Sequence, residues 1–442
     1  MSNDEIKQNI NNSAVRRENL VREFVAYEYE LEADKQVKTM RKKVEEIREV
    51  AKVCHERDNV NLEGLDGSVG SLIKTKAIDL YRNYHSLSIN GKAIVALGLN
   101  STIDLSFDHP QSQSTLFDNT QWRTLRSIYK SKRYVYEEYD SIFSILNPVF
   151  QCYNEKKPFE INWMTAYKKV KDLEKKYDHV LDASCSDVSF CVFLVFQTLM
   201  LMKYQPALFK EEIDCSEWDY VVKFWGVITE RLFHDSGLRL KWGDTHITLH
   251  DTIAGGNLKV DLRIINDNMV QRYNTENDVS VMEAAEECPS DAKFISDRFK
   301  LSIENKTIID RFLLNGVKIY SVDSLQISGL EIFFVNTYLA ENGLYVTNEF
   351  KRFKVDNNIK NIENFINLAS SLLCFRDECV SISNRYNEHL IKVKNENKSS
   401  KRPVNEVDDD ELTLKQESIR GTWFPPRTAR TPPPEIPKDL WK

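Results

Sequence analysis

Between residues 14 and 57 apolar side chains fall at Leu20, Phe24, Tyr27 and Leu31, then at Val37, Met40, Val44, Ile47, Ala51 and Cys54, with no Gly or Pro among them. This is heptad spacing with one phase slip, and it predicts a long amphipathic helix, a candidate coiled coil that pairs with another chain or packs on its own domain. Residues 58–120 hold one helical stretch, 71–84, and a loop rich in Asp, Ser and Pro. Residues 120–212 predict further helices. The most apolar run, 188–202, is about fifteen residues long and carries Ser189 and Gln197, which suits a buried core helix rather than a bilayer span.

The pattern changes after Asp214. Ser216-Glu-Trp-Asp219 is a capping signature that opens a helix running to about Phe233, with Trp218, Val221, Val222, Trp225, Ile228 and Leu232 on one face. Strands follow at 238–249, 258–265 and 279–285, with a turn at Gly255-Gly256, then a helix over 290–314. Two more strands, 324–338 and 344–355, flank the turn Glu341-Asn342-Gly343, and a last helix spans 362–389. From about Asn395 onward Lys, Glu, Asp, Ser and Pro dominate, and the tail is expected to be disordered. Trp423 and Trp441 stand out within it, since such rings favour a partner groove or docking back on the body. The fold class expected is α+β. A flexible start (1–13) leads to a helical region (14–212), an α/β domain (213–392) and a disordered Pro-rich tail (393–442).

Composition narrows the function classes. A net charge of −7 on 442 residues gives no global attraction to nucleic acid or anionic lipid, so any phosphate binding is local. The eight cysteines show no CxxC pair and read as reduced thiols. The polar start MSNDEIKQNINNS lacks the apolar region of a secretory signal, so an intracellular location is expected. Lys392, Lys394, Lys398, Lys401 and Arg402 form a candidate nuclear import signal, which tilts the choice between nucleus and cytoplasm toward the nucleus.

Most chemical motifs fail on spacing. INGKAI around Gly91-Lys92 lacks the first Gly and the Ser/Thr of a phosphate loop. The lysines at 168, 169, 171, 175 and 176 are diluted by Asp172 and Glu174 and read as a solvated helix face, although such a helix could follow a phosphate backbone. Asp244, His246 and His250 share one side of a strand, but positions 246 and 250 lie about 13 Å apart along it, too wide for one tetrahedral ion.

The order helix, strand, strand, strand, helix, strand between 214 and 355 resembles the restriction-endonuclease-like, or PD-(D/E)xK, fold. The segments SEWDYVVKFWGVITERLF, LRLKWGDT, KVDLRI and LQISGLEIFFVNTYLAENGLYV also resemble a large group of uncharacterised proteins from mucoralean fungi. The fold resemblance implies a divalent metal, Mg²⁺, held against a phosphodiester by an acid on the second strand, matched by Asp261, and the acid of an ExK motif, matched by Glu283. The lysine of that motif is replaced by Ala285, so the resemblance turns to Lys293 and Lys300 on the following helix. Gln326 matches a polar fourth-strand residue, and Glu230, or less obviously Glu217, the first-helix acid.

The residues themselves support this only in part. Glu283 continues the apolar row of Val279, Val281 and Ala285, so its carboxylate needs a partner. Asp261 lies between Lys259 and Arg263, opposite Leu258, Val260, Leu262 and Ile264, and reads as part of a solvated face. Two functions are therefore expected. One is a nucleic-acid-associated protein that is a metal-dependent phosphodiesterase or its inactive relative. The other is a non-enzymatic interaction protein acting through the 14–57 helix and the tail.

Overall fold

The computed structural model describes residues 62–65, 67–106, 112–130, 134–153, 156–177, 183–210, 212–246, 259–270, 273–340, 343–355, 362–399, 419–426 and 436. The expected helix over 14–57, the turn at Gly255-Gly256, His250 and Trp441 lie outside them.

Alternation along the strands sets the layers. Leu262, Met282, Leu325 and Phe334 are partners in register across four adjacent strands, and all are buried. One residue along the strands, Glu283 and Gln326 are likewise paired, and their side chains turn to the other face. The strands are β1 (Thr102–Asp104), β2 (Arg239–His246), β3 (Lys259–Val270), β4 (Tyr273–Ala285), β5 (Ser321–Ser328), β6 (Glu331–Leu339) and β7 (Tyr345–Lys354). They form one mixed sheet in the order β1-β7-β6-β5-β4-β3-β2, parallel at β1/β7 and β4/β5 and antiparallel elsewhere.

Helices cover both faces. Before the first strand come α1 (Val69–Tyr81) and α2 (Ile89–Leu99); α3 (Asn119–Ile128), α4 (Tyr139–Phe150), α5 (Phe159–Tyr177) and α6 (Ala183–Tyr204) follow it. A helix over 217–232, α7, is built from Glu217–Tyr220, a π turn Val221–Trp225 and Gly226–Leu232. The last two are α8 (Asp291–Leu314), which joins β4 to β5, and α9 (Ile362–Ser399). α8 packs on β4, β5 and β6 beside α2. On the opposite face Phe375 of α9 meets Phe334, with ring centroids 6.4 Å apart, and α4, α6 and α7 pack around α9.

The expected capping box at the start of α7 is present: Ser216 Oγ accepts the Asp219 N–H, and Asp219 Oδ2 accepts the Ser216 N–H at 2.9 Å. The expected apolar face needs correction, because Trp218 and Val222 are 49% and 63% exposed while Phe224 is fully buried. The π turn inserts a residue and shifts the phase of the stripe. Gly226 permits it, since a Cβ there would stand 2.7 Å from the Val221 carbonyl oxygen.

Other boundaries also move. β3 and β4 extend as one long hairpin past the expected ends at 265 and near 279, because their polar residues are paired across strands. Arg239 binds Asp267 and Glu276, and Arg263, only 1% exposed, binds Asp278 and Glu276. The solvated face expected around Asp261 is therefore partly a buried charge network. The single strand expected at 324–338 is two, split at Gly329, whose φ of +58° suits glycine and whose Cβ would strike Glu287. β1 was not expected at all. It pairs Thr102–Asp104 with 345–347, so the sheet draws strands from both sides of residue 213.

α6 includes 187–204, long and apolar enough to cross a bilayer by length and composition, yet Cys191, Leu194, Val195 and Leu199 are buried in the main core. The expectation of a wholly disordered tail also needs correction: α9 runs to Ser399, and residues 419–426 lie extended against the body. Trp423, 1% exposed, sits between Tyr81 and Tyr84, and its backbone N–H and C=O bond the Asn100 side chain at 2.8 and 2.7 Å. Lys306 of α8 holds the same segment. Its Nζ donates to the Arg420 carbonyl at 2.8 Å and the Thr422 hydroxyl at 3.0 Å, and it is neutralised by Asp310, which also accepts from the Tyr345 hydroxyl.

Candidate active site

Ser290 caps the start of α8, its Oγ accepting the Lys293 N–H. From there Lys293, Asp297, Lys300 and Glu304 recur at i, i+4, i+7 and i+11, which places them on one stripe of the helix. The stripe lies over the end of the sheet where Asp261, Glu283 and Gln326 stand on neighbouring strands. Continuing the Leu262/Met282 register by one residue sets Asp261 across from Glu283, and directly opposed residues share a face. Asp261 Oδ2 accepts the Ala284 N–H at 2.8 Å, which fixes its carboxylate at the β3/β4 seam.

Two lysines tie the acids together. Lys300 Nζ stands 3.2 Å from Glu283 Oε2 and 3.4 Å from Asp297 Oδ1. Lys293 Nζ stands 3.0 Å from Asp297 Oδ2 and 3.6 Å from Glu217 Oε2, so the first residue of α7 also reaches the cluster. The side chains of Lys293 and Lys300 remain 38% and 25% exposed, so the cluster opens to solvent along this edge. Glu230 is elsewhere: it is exposed and accepts the Trp242 indole N–H at 2.6 Å. Of the two α7 candidates it is Glu217, the less obvious one, whose carboxyl reaches the cluster, through Lys293. Gln326 is adjacent but committed, accepting from Arg298 Nε at 2.6 Å and donating to the Phe294 carbonyl at 2.9 Å.

Burial dominates the electrostatics. Glu283, Asp297 and Glu304 are each 1% exposed; Glu283 Oε1 and both Glu304 carboxyl oxygens have no hydrogen-bond partner. Desolvation pushes Glu283 and Glu304 well above the usual carboxylate range, with Lys300 pulling the other way in both. Asp297 and Glu217 are raised for the same reason, each opposed by Lys293. Burial disfavours the ammonium of Lys300, but Glu283 and Asp297 outweigh it and hold that pKa above its ordinary value. Carboxyls outnumber lysines here, and such a surplus is relieved by protons or by a bound cation. Among the described residues no three His, Cys, Asp or Glu side chains are grouped to cage a metal. Magnesium does not require a cage, because it is commonly held by one or two carboxylates with waters and phosphate oxygens completing the shell.

Asp297 and Glu304 escaped the sequence reading, although their spacing with Lys293 and Lys300 on a helix was a usable signal. Glu304 gives a pH test. Its folded pKa lies above the unfolded value of about 4.5, so its contribution to stability is complete below that pH and is lost as pH rises through the folded pKa. Glu304→Gln cannot ionise and is expected to flatten the fall in unfolding free energy above pH 4.5, read by urea denaturation across pH. An unchanged slope in the variant would assign the titration to other carboxyls.

No protein-family model, curated protein or solved structure matches the chain.

Proposed function

We propose that the chain is a divalent-metal-dependent phosphodiester hydrolase with a restriction-endonuclease-like core. The order α7-β2-β3-β4-α8-β5 supports this, with an antiparallel β2-β3-β4 meander and β5 parallel to β4 after the α8 crossover. The observation that carries the reading is Lys300 Nζ, 3.2 Å from Glu283: it brings an ammonium from the next helix to the carboxylate whose own strand has Ala285 in the lysine position.

Asp261 and Glu283 would hold magnesium, and the unpartnered, buried Glu283 Oε1 fits that role, since an orphaned carboxylate oxygen is costly without a cation. When bound, the ion supplies Lewis-acid polarisation of a phosphoryl oxygen and lowers the pKa of bound water. Lys300 stabilises negative charge building on the phosphate, and burial strengthens that interaction. Lys293, at the more exposed mouth, meets the nucleic-acid backbone, while Glu217 and Asp297 hold its ammonium in place.

The test is cleavage of plasmid and single-stranded substrates with magnesium or manganese. Parent protein should cut only with metal, and Asp261→Asn and Lys300→Met should lose most of that activity. Nucleic-acid binding without cleavage in the parent would make the chain an inactive relative. Cleavage insensitive to both substitutions would reject the site.

A further inference from the structure

The segment 419–426 straps the flank of α8 away from the acidic cluster. The Arg420 carbonyl is held by Lys306, Trp423 by Asn100 at the end of α2, and Phe424 and Ile436 belong to the same apolar cluster as Phe299 and Ile303 of α8. Beside the first turns of α8 lies a cavity of about 140 Å³ that no described residue fills and that is open on one side. Ala93, Ile94 and Leu97 of α2 and Phe294, Ile295 and Phe299 of α8 form its walls.

The course of the chain brings its own end to this place. Ile436 is 8% exposed and shares its apolar cluster with three of the walls, Ala93, Leu97 and Phe299. Trp441 follows five residues later, a span of at most about 17 Å, so its ring is within reach of the cavity. Pro437 stands between them and restricts the backbone, which lowers the entropy lost when the end of the chain docks.

Shape and charge agree with that occupant. A space of roughly 150 Å³ holds one benzene ring, so the six-membered half of an indole enters while the open side leaves room for the pyrrole half and the backbone that carries it. Asn90 and Asp291 also line the cavity, where an indole N–H finds polar company. Asp291 is exposed, and Lys438 and Lys442 bracket Trp441, so the charges at the mouth and on the arriving segment are opposite.

We propose that the cavity is the seat of Trp441, so that the end of the chain closes over the start of α8 as Trp423 closes over the ends of α1 and α2. The inference stands apart from the hydrolase reading, since it needs neither metal nor substrate.

The experiment is fluorine NMR of the full chain labelled with 5-fluorotryptophan. Of the seven indole signals, those of residues 441 and 423 are assigned by their loss in Trp441→Phe and Trp423→Phe. In the parent the 441 signal should lie away from that of a solvent-exposed indole and should not depend on protein concentration. Ala93→Leu, which fills the cavity, should return it to the exposed position while the 423 signal remains that of a buried ring and reports an intact fold; Ile94→Phe fills the same space if Ala93→Leu disturbs the 423 signal. Free indole should bind Trp441→Ala about tenfold more tightly than the parent, because in the parent a tethered ring competes at high effective concentration. An exposed 441 signal in the parent, a shift that grows with protein concentration and so marks docking on a second copy, a 441 signal unmoved in a folded filling variant, or equal indole affinity in the two proteins would each overturn the proposal.

Discussion

Glu283→Gln is expected to reduce metal-dependent cleavage by roughly 10²- to 10³-fold or more, in line with removal of a preorganised electrostatic group, while leaving the protein at least as stable as the parent. The two effects have one origin. Glu283 is fully buried with one unpartnered oxygen, and desolvation already drives it toward the neutral acid. An amide of the same shape removes that penalty together with the ligand charge, so activity and stability move apart as they do at sites strained for function. A purely structural Glu283, worth its ion pair with Lys300, would instead lose stability on substitution. The same shift fixes the pH dependence of metal binding. Because the folded pKa is raised, a cation must displace a proton from the carboxyl, so apparent magnesium affinity should rise with pH. Activity against magnesium concentration, measured from mildly acidic to alkaline pH, reads this directly, and an affinity that falls with pH would contradict the assignment.

Trp423→Ala is expected to destabilise the protein by about 3–5 kcal/mol, the range for deleting a buried aromatic side chain. The indole is 1% exposed and meets Tyr81 and Tyr84 edge-on with centroids 6.0 and 5.7 Å away. Its loss also loosens the backbone that caps Lys306, whose ammonium has no exposure to solvent. Urea denaturation measures the loss, and limited proteolysis should show faster cutting between residues 400 and 426. Trp423→Phe should retain a large part of the stability. Unaltered denaturation of Trp423→Ala would mean that the segment adds nothing to the folded state.

Local signals were the legible ones. Ser216 announced a helix start, and KVDLRI and VSVMEAA located the first half of β3 and the second half of β4. What pattern reading lacked was cross-strand information. Asp261 looked solvated between Lys259 and Arg263, but Arg263 is buried on Asp278, and the facing of Asp261 and Glu283 follows from a register that periodicity within one strand cannot supply. The polar outer halves of β3 and β4 looked like loops for the same reason, their ion-pair partners lying on another strand. β1 is three residues long, too short for any period to show. Trp423 was conspicuous in the sequence, although nothing there distinguished a groove on this chain from one on a partner.

Thr102 of β1 finds its strand partner at Tyr345, and Asn100 closes on Trp423 across 323 residues. On the ribosome the early segment therefore waits for β7 and for the Trp423 segment to be synthesised, since a contact so distant in sequence cannot form before its later partner emerges. Until β7 has been made, this outer strand has no place in the sheet to dock, and until it docks the unfinished edge of β7 is open to pairing with other chains.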